Sequence, residues 1–241
     1  MEFLYLSHED VIAAGGLEMS RTIEAVEMAF LACAKGETIN PPKTVIMWDK
    51  GKSFDIRRRV IAMPSCIESE SMFVGIKWVS SAPENPKNLG IPRATALIIL
   101  NDYETGMPFC LMDGTIISAM RTGATSGVAA KYLARNDGQA VGLIGTGVQA
   151  RTQLMALKII LPHLKRIWAY DLDGEKAKRF ALEMEATLGV EVQVVEGPET
   201  VFKRGDVVVT ATVSDHSYIK HSWPSEGCLY IEISGLDSEM E

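Results

Sequence analysis

Positive charge, cysteine and long apolar runs are all scarce in this chain. Its 24 Lys and Arg are outnumbered by 31 Asp and Glu, for a formal net charge of −7. Nucleic-acid binding draws its affinity from a concentrated basic surface, so a phosphate backbone is excluded as the main partner. The one basic run, Arg57-Arg58-Arg59, reads as a solvated loop or strand end. No stretch reaches the about 18 uninterrupted apolar residues of a membrane span. The opening MEFLYLSHED turns acidic at once and does not read as a signal peptide. The 4 cysteines (Cys33, Cys66, Cys110, Cys228) stand far apart, with no CxxC pair and no histidine at metal-ligand spacing. They read as buried or partly buried free thiols in a reducing compartment. The expectation is a cytoplasmic, metal-independent protein with neither membrane nor nucleic-acid partner.

What is present is globular. Apolar residues make up 47% and charged residues 23%, which leaves out disorder and collagen-like structure. At about 150 residues per domain, 241 residues predict one or two domains. Thr22 to Ala34 carries apolar residues at helical spacing, with Gly36 as a stop. Then come candidate strands at Thr44–Trp48, Val60–Met63, Val74–Ser80, Ala94–Leu100 and Pro108–Met112, separated by turn-rich pieces such as SAPENPKNLGIP and NDYETG. That spacing predicts an antiparallel or mixed sheet. A second helix, from Thr115 or Ile116 to Ala134, is rich in small residues and suited to close backbone approach. After RNDGQ the rhythm becomes strand, helix, strand, helix, which predicts a parallel doubly wound sheet. The fold class is therefore α/β: an N-terminal α+β domain over residues 1–136 and a Rossmann-type domain over 137–241.

The sharpest motif is Gly145-Thr146-Gly147-Val148-Gln149-Ala150, a G-x-G-x-x-A between a buried-type strand, Ala140–Ile144, and an amphipathic helix, Val148–Ile160. Gly145 suits the tight turn, Gly147 admits a pyrophosphate to the backbone, and Ala150 keeps helix and strand close. The helix N-terminus offers free N–H groups and partial positive charge. Asp171 follows the next strand, Arg166–Tyr170, where a carboxylate can accept hydrogen bonds from both hydroxyls of an adenine ribose. NAD is preferred over NADP on this reading, although Lys176 and Lys178 could reach a phosphate. A second role for Asp171, capping the helix that starts near Gly174, stays open.

Substrate clues lie in the first half. Lys77 sits inside the apolar strand VGIKWV, where a lysine is costly to bury unless paired or used. Arg121 lies on the small-residue helix, and a planar guanidinium there suits a carboxylate. Together they point to an anionic amino or keto acid. Either could also pack its stem and leave its head at the surface. His8, His163, His216 and His221 read as surface residues, and the 4 tryptophans as packing residues.

At these residues the sequence resembles the ornithine cyclodeaminase/mu-crystallin family, from about residue 3 to residue 241. The resemblance is carried by IAMP (61–64), GIKWV (75–79), GIPRATALIILNDYETGMP (90–108), ISAMRTGATSG (117–127), VGLIGTGVQARTQ (141–153) and SGLDSE (234–239). It implies a substrate-binding and dimerisation domain followed by a Rossmann domain, a homodimer, and an active site in a cleft. By position it implies that Lys43, Lys77 and Arg121 bind the substrate carboxylate, with Lys77 also catalytic, and that Asp237 is the acid/base near the amine. It implies cofactor contacts at Gly145, Thr146, Gly147, Val148, Gln149, Asp171 and Thr210, and at Thr95 and Thr122 near the nicotinamide and diphosphate.

The activity implied is an NAD-dependent ornithine cyclodeaminase. A hydride leaves Cα, an imine forms, the distal amine attacks, ammonia departs and the returning hydride gives proline. Two departures bear on this. Ile61 stands where cyclising members tend to carry a glutamate, and Arg93 adds a cation that suits a second substrate carboxylate, or a plain surface turn. The alternatives are an amino-acid, imine or opine-type dehydrogenase of the same family, or a mu-crystallin-like binding protein. Relatives extend several tens of residues past the position of Asp237, so the chain is expected to be a fragment whose Rossmann sheet is incomplete.

Overall fold

The computed structural model describes residues 3–49, 58–235 and 237–238. Arg57, in the basic run, lies outside them. In chain order the elements are β1 (Leu4–Leu6), α1 (His8–Val11) continuing into a π-helical turn over Ile12–Gly16, α2 (Met19–Ala34), β2 (Thr38–Ile39), β3 (Thr44–Met47), β4 (Arg59–Glu68), β5 (Met72–Ser81), α3 (Asn85–Leu89), β6 (Ala94–Asn101), β7 (Pro108–Asp113) and α4 (Thr115–Leu133). They continue with β8 (Ala140–Ile144), α5 (Val148–Ile160), β9 (Arg166–Tyr170), α6 (Gly174–Leu188), β10 (Glu191–Val194), α7 (Pro198–Arg204), β11 (Val207–Thr210) and β12 (Leu229–Glu232).

Two compact units result, Met1–Arg121 and Thr122–Glu241. The division falls inside α4, earlier than the change of rhythm near residue 137. The reason is packing. An added Cβ on Gly123 would stand 2.3 Å from the carbonyl oxygen of Thr152 on α5, so the second half of α4 lies directly against that backbone.

The first unit holds a seven-stranded mixed sheet in the order β1-β7-β6-β5-β4-β2, with β3 also paired to β4. β1 runs parallel to β7, and the other pairs are antiparallel. All five candidate strands form, and β4 and β5 are longer than expected. β1 and β2, with three and two residues, are too short for a periodicity to reveal them. α3, within the stretch expected to be turn, is one short helical turn with proline near its start, ended by Gly90 at φ +66°. α2 begins at Met19, before Thr22, because the Thr22 hydroxyl donates back to the Glu18 carbonyl at 3.0 Å and so sits inside the first turn.

Register assigns the two faces of this sheet. Lys77 stands opposite Met63 on β4 and Ile98 on β6. On that face an added Cβ on Gly114, which precedes α4, would come within 2.9 Å of Ile98 and 3.3 Å of Ala96, so the start of α4 covers it. The other face carries Tyr5, Ile46, Trp78 and Leu97, all exposed, so Trp78 is not the packing residue expected. Trp48 is exposed as well, whereas Trp168 is buried and Trp223 packs against the second unit's core. Cys33 is exposed too, unlike the other three cysteines.

The second unit is a five-stranded parallel sheet in the order β10-β9-β8-β11-β12. Renumbered within the unit that is 3-2-1-4-5, the order of a dinucleotide-binding sheet, and its direction of winding reverses between β8 and β11. Both faces are covered. Val207 and Val209 of β11 pack into a cluster with Leu154, Leu157, Phe180 and Met184 of α5 and α6. Val208 points the other way, to Val201 and Phe202 of α7 and to Ile219. This alternation is what a strand covered on both sides requires.

Candidate functional site

The glycine-rich turn leaves the carboxyl end of β8 at the point where the winding reverses. Gly145 has φ +87°, and a Cβ there would meet the Ala211 carbonyl oxygen at 2.7 Å, so both backbone conformation and space demand glycine. Gly147 is the N-cap of α5 and brings no capping side chain. A Cβ added to it would meet nothing within 4 Å, which leaves open space over the first turn of the helix. The N–H groups of that turn have no intrahelical partner, and the helix dipole adds partial positive charge. Gln149 Oε1 is buried without a hydrogen-bond partner. An open, uncapped helix start with free N–H groups fits a diphosphate, so these residues can hold a dinucleotide.

Asp171 follows β9 and is tied to this turn. Its Oδ2 accepts from Thr146 N at 2.8 Å, Thr146 Oγ1 at 2.7 Å and Lys176 Nζ at 2.9 Å, while Oδ1 accepts from Asp173 N at 3.1 Å. Burial pushes this carboxyl upward, but the Thr146 hydroxyl, the Lys176 ammonium and the backbone donors outweigh it and hold the group below the usual range. The helix-capping role belongs instead to Asp173, which accepts from Glu175 N at 3.1 Å and Lys176 N at 3.0 Å. Lys178 is held by Glu175 at 2.7 Å. Leu172, beside the carboxylate, is 95% exposed, an apolar surface available to an adenine ring.

Two other residues at this end of the sheet face inward. Thr210 is fully buried, its hydroxyl lies 3.1 Å from Tyr230 Oη and its carbonyl accepts from Ile233 N at 2.9 Å, so it is not exposed to a ligand, against the expectation of a cofactor contact. Asp237 is fully buried as well. Thr212 Oγ1 donates to its Oδ1 at 2.5 Å, and Ser234 Oγ donates to its Oδ2. Glu232 pins the main chain, accepting from Asp237 N at 2.8 Å and from Ser238 Oγ at 2.6 Å. Burial pushes the phenols of Tyr218 and Tyr230 well upward, with Asp237 adding to it, so both stay neutral.

In the first unit, Lys77 Nζ donates to Ser118 Oγ on α4 at 3.1 Å. Burial lowers the Lys77 ammonium to about 8, and the positive charge of Arg121 lowers it further within that value. Arg121, one helical turn beyond Ser118, is therefore close enough to be felt electrostatically. Two cations held at one place are a site for an anion. Around Lys77 the strand neighbours are apolar: Met63 and Ile98 directly opposite, and Ile61 across from Val79 on the same face.

Lys43 is exposed just before β3. Arg93 and Thr95 line a separate cavity of about 350 Å³ with Trp48, Arg59, Ser80 and Asn85, and Thr95 Oγ1 lies 3.0 Å from Ser80 Oγ. The Thr122 carbonyl accepts from Gln153 Nε2 at 3.2 Å. Among the described residues no cluster of three His, Cys, Asp or Glu could hold a metal, and no helix is long and apolar enough to cross a membrane. Sequence reasoning missed Ser118, which its spacing of three before Arg121 could have revealed. It also missed Thr212, Ser234 and Glu232, for which no local pattern exists.

Comparison with known proteins covers both units. Residues 6–239 match the model of the ornithine cyclodeaminase/mu-crystallin family. The chain is 34% identical over 241 residues to N-((2S)-2-amino-2-carboxyethyl)-L-glutamate dehydrogenase of Staphylococcus aureus, covering 100% of this chain and 71% of the relative. It superposes on the Thermococcus litoralis Δ1-pyrroline-2-carboxylate reductase, solved with NADH and L-proline, with TM-score 0.86 and 40% identity, over 96% of this chain and 68% of that one. A dimeric archaeal alanine dehydrogenase with bound NAD matches with TM-score 0.84 and 37% identity, over 95% of this chain and 67% of that one. The turn at Gly145 and the cations at Lys77 and Arg121 thus belong to a fold shared along almost the whole length, and the chain is a member of the ornithine cyclodeaminase/mu-crystallin family.

Proposed function

We propose that the protein is an NAD-dependent oxidoreductase that interconverts a small amino acid and its imine. The observation that carries this reading is the pair of cations, Lys77 and Arg121, set among apolar side chains in the first unit. Arg121 and Lys77 bind the substrate carboxylate, and the anion in turn stabilises the Lys77 charge that burial disfavours. Met63, Ile98 and Ile61 then face the substrate side chain with no polar partner. In the second unit the first turn of α5 holds the diphosphate and Asp171 the adenine ribose. The chemistry that a nicotinamide dinucleotide supplies is exchange of a hydride with the substrate Cα. Asp237 is the carboxylate proposed to take and return the proton at the substrate nitrogen, which requires Thr212 or Ser234 to release one of its oxygens.

Net oxidation or reduction is favoured over ornithine cyclisation by Ile61. A distal ammonium next to Lys77 and Arg121 needs a carboxylate, and the position on β4 is isoleucine. The relatives that bind proline or act on alanine and on a carboxyethyl-glutamate conjugate lend the same support. Incubation with NAD and a panel of amino acids, following NADH, ammonia and proline together, tests it. Steady NADH production supports the proposal. Proline and ammonia from ornithine without net NADH would replace it by cyclodeamination, and tight cofactor binding without any turnover would replace it by a binding role. We also propose a homodimer formed through the exposed apolar face of the first sheet, at Tyr5, Ile46, Trp78 and Leu97. Sedimentation of the purified chain checks it.

A further inference from the structure

We infer that Lys176 sets the choice between NAD and NADP jointly with Asp171. It is a ready partner for a 2′-phosphate, held out of use by its ion pair with the carboxylate. This rests on the dinucleotide reading of the second unit.

Three donors converge on one oxygen, Asp171 Oδ2: the Thr146 amide, the Thr146 hydroxyl and the Lys176 ammonium, all between 2.7 and 2.9 Å. Convergent N–H, O–H and N⁺–H donors are what a phosphate oxygen requires. Lys176 stands in the first turn of α6, a helix of 15 residues whose dipole also favours an anion. The Asp171 side chain is 12% exposed while that of Lys176 is 45% exposed, so the lysine head is the partner with open solvent to turn into. The site is thus an anion site whose charge is supplied from within by Asp171. A ribose with a free 2′-hydroxyl leaves the pair intact and hydrogen-bonds to the carboxylate. A 2′-phosphate meets Asp171 as a repelling charge and is held only by taking Lys176 away from it. The other nearby charges do not serve as substitutes. Lys178 is engaged by Glu175, and Arg151, which donates to the Thr146 and Gly147 carbonyls at 3.2 and 3.0 Å, is engaged by Glu183.

The consequence is asymmetric. Loss of Lys176 leaves the Asp171 charge less compensated and weakens the phosphorylated dinucleotide while leaving the other nearly untouched. Loss of Asp171 exposes the donors and turns the preference round.

Titration of the full chain with NADH and with NADPH, read by nicotinamide fluorescence, measures both affinities without any need for turnover. Wild type should bind NADH more tightly than NADPH. Lys176→Ala should weaken NADPH by about tenfold or more and change NADH by less than about threefold, the scale of one charge-assisted hydrogen bond. Asp171→Ser should bind NADPH more tightly than NADH, and the double variant should lose that reversal. Circular dichroism establishes that Asp171→Ser is folded. Should it not fold, Lys176→Ala alone decides. An unchanged NADPH-to-NADH ratio in Lys176→Ala, with dinucleotide still bound, overturns the role of Lys176 alone. Binding of neither dinucleotide by wild type overturns the reading of the second unit, and this proposal with it.

Discussion

Lys77→Met should stabilise the protein while disabling it. Burial first, and the Arg121 charge second, lower the Lys77 ammonium from an ordinary 10.5 to about 8. At about 1.36 kcal/mol per decade, holding that charge in the folded chain costs about 3 kcal/mol. The side chain is only half-buried, and solvent screening leaves about 1–2 kcal/mol of this. Below about pH 8 the folded and unfolded chains are both charged and the full penalty applies. Between about 8 and 10.5 the folded protein gives up its proton first, so its stability rises with pH. Above that range neither state is charged and the penalty is gone. Methionine keeps the length and volume without the charge, at the expense of the hydrogen bond to Ser118. Lys77→Met should therefore be more stable than wild type by about 1 kcal/mol near pH 7, or about 3 °C in Tm. That advantage should disappear near pH 11, above about the ordinary lysine range. Thermal unfolding by circular dichroism at several pH values measures it, and an amino-acid titration on the same variant should show the lost carboxylate affinity. A variant no more stable than wild type at neutral pH, or an advantage that persists unchanged into alkali, would refute the reasoning.

Arg121→Ala should lower kcat/KM by at least about a hundredfold, the scale of a lost charged hydrogen bond to a carboxylate. Arg121→Lys should recover part of it, and near-normal turnover in Arg121→Ala would remove the residue from the substrate site. Gly123→Ala forces a Cβ to within 2.3 Å of the Thr152 carbonyl oxygen and should cost about 2–3 kcal/mol of stability, seen as a lower Tm in calorimetry. Gly145→Ala combines φ +87° with a clash against Ala211 and should abolish NADH binding by fluorescence titration. Trp78→Glu places a charge on the exposed apolar face of the first sheet and should shift sedimentation from dimer to monomer while NADH binding persists.

Much of the site was legible because it is built from neighbours in the chain. A strand, a glycine turn and a helix over Ala140–Ile160 are consecutive; Gly145 answers to a conformational demand that no other residue meets, and Gly147 leaves the start of the helix open. Asp171 was legible for the same reason, one strand later. The lysine in VGIKWV drew notice because a charge in an apolar strand conflicts with its surroundings, and the small residues of α4 foretold its close approach to α5. Boundaries were less legible. The first long helix encloses Thr22 instead of starting at it, and β1, β2 and α3 are too short to leave a periodicity to read.

By itself, then, the sequence determined the main element types, the turn proposed to receive a diphosphate and the two cations proposed to receive a carboxylate. These depend on backbone conformation and hydrophobic spacing within one or two elements. Only the tertiary structure decided which partners each charge would have. Asp171 could equally have capped α6, but Asp173 lies where the cap must be, and Thr146, 25 positions earlier, claims Asp171. Asp237 is buried by Thr212 and Ser234, which β11 and the end of β12 bring to it. Ile61 shares the face of Lys77 only because β4 and β5 pair in the register they do. Such pairings are set by long-range burial and register, whose energies are sums over many residues and leave no mark at any one of them.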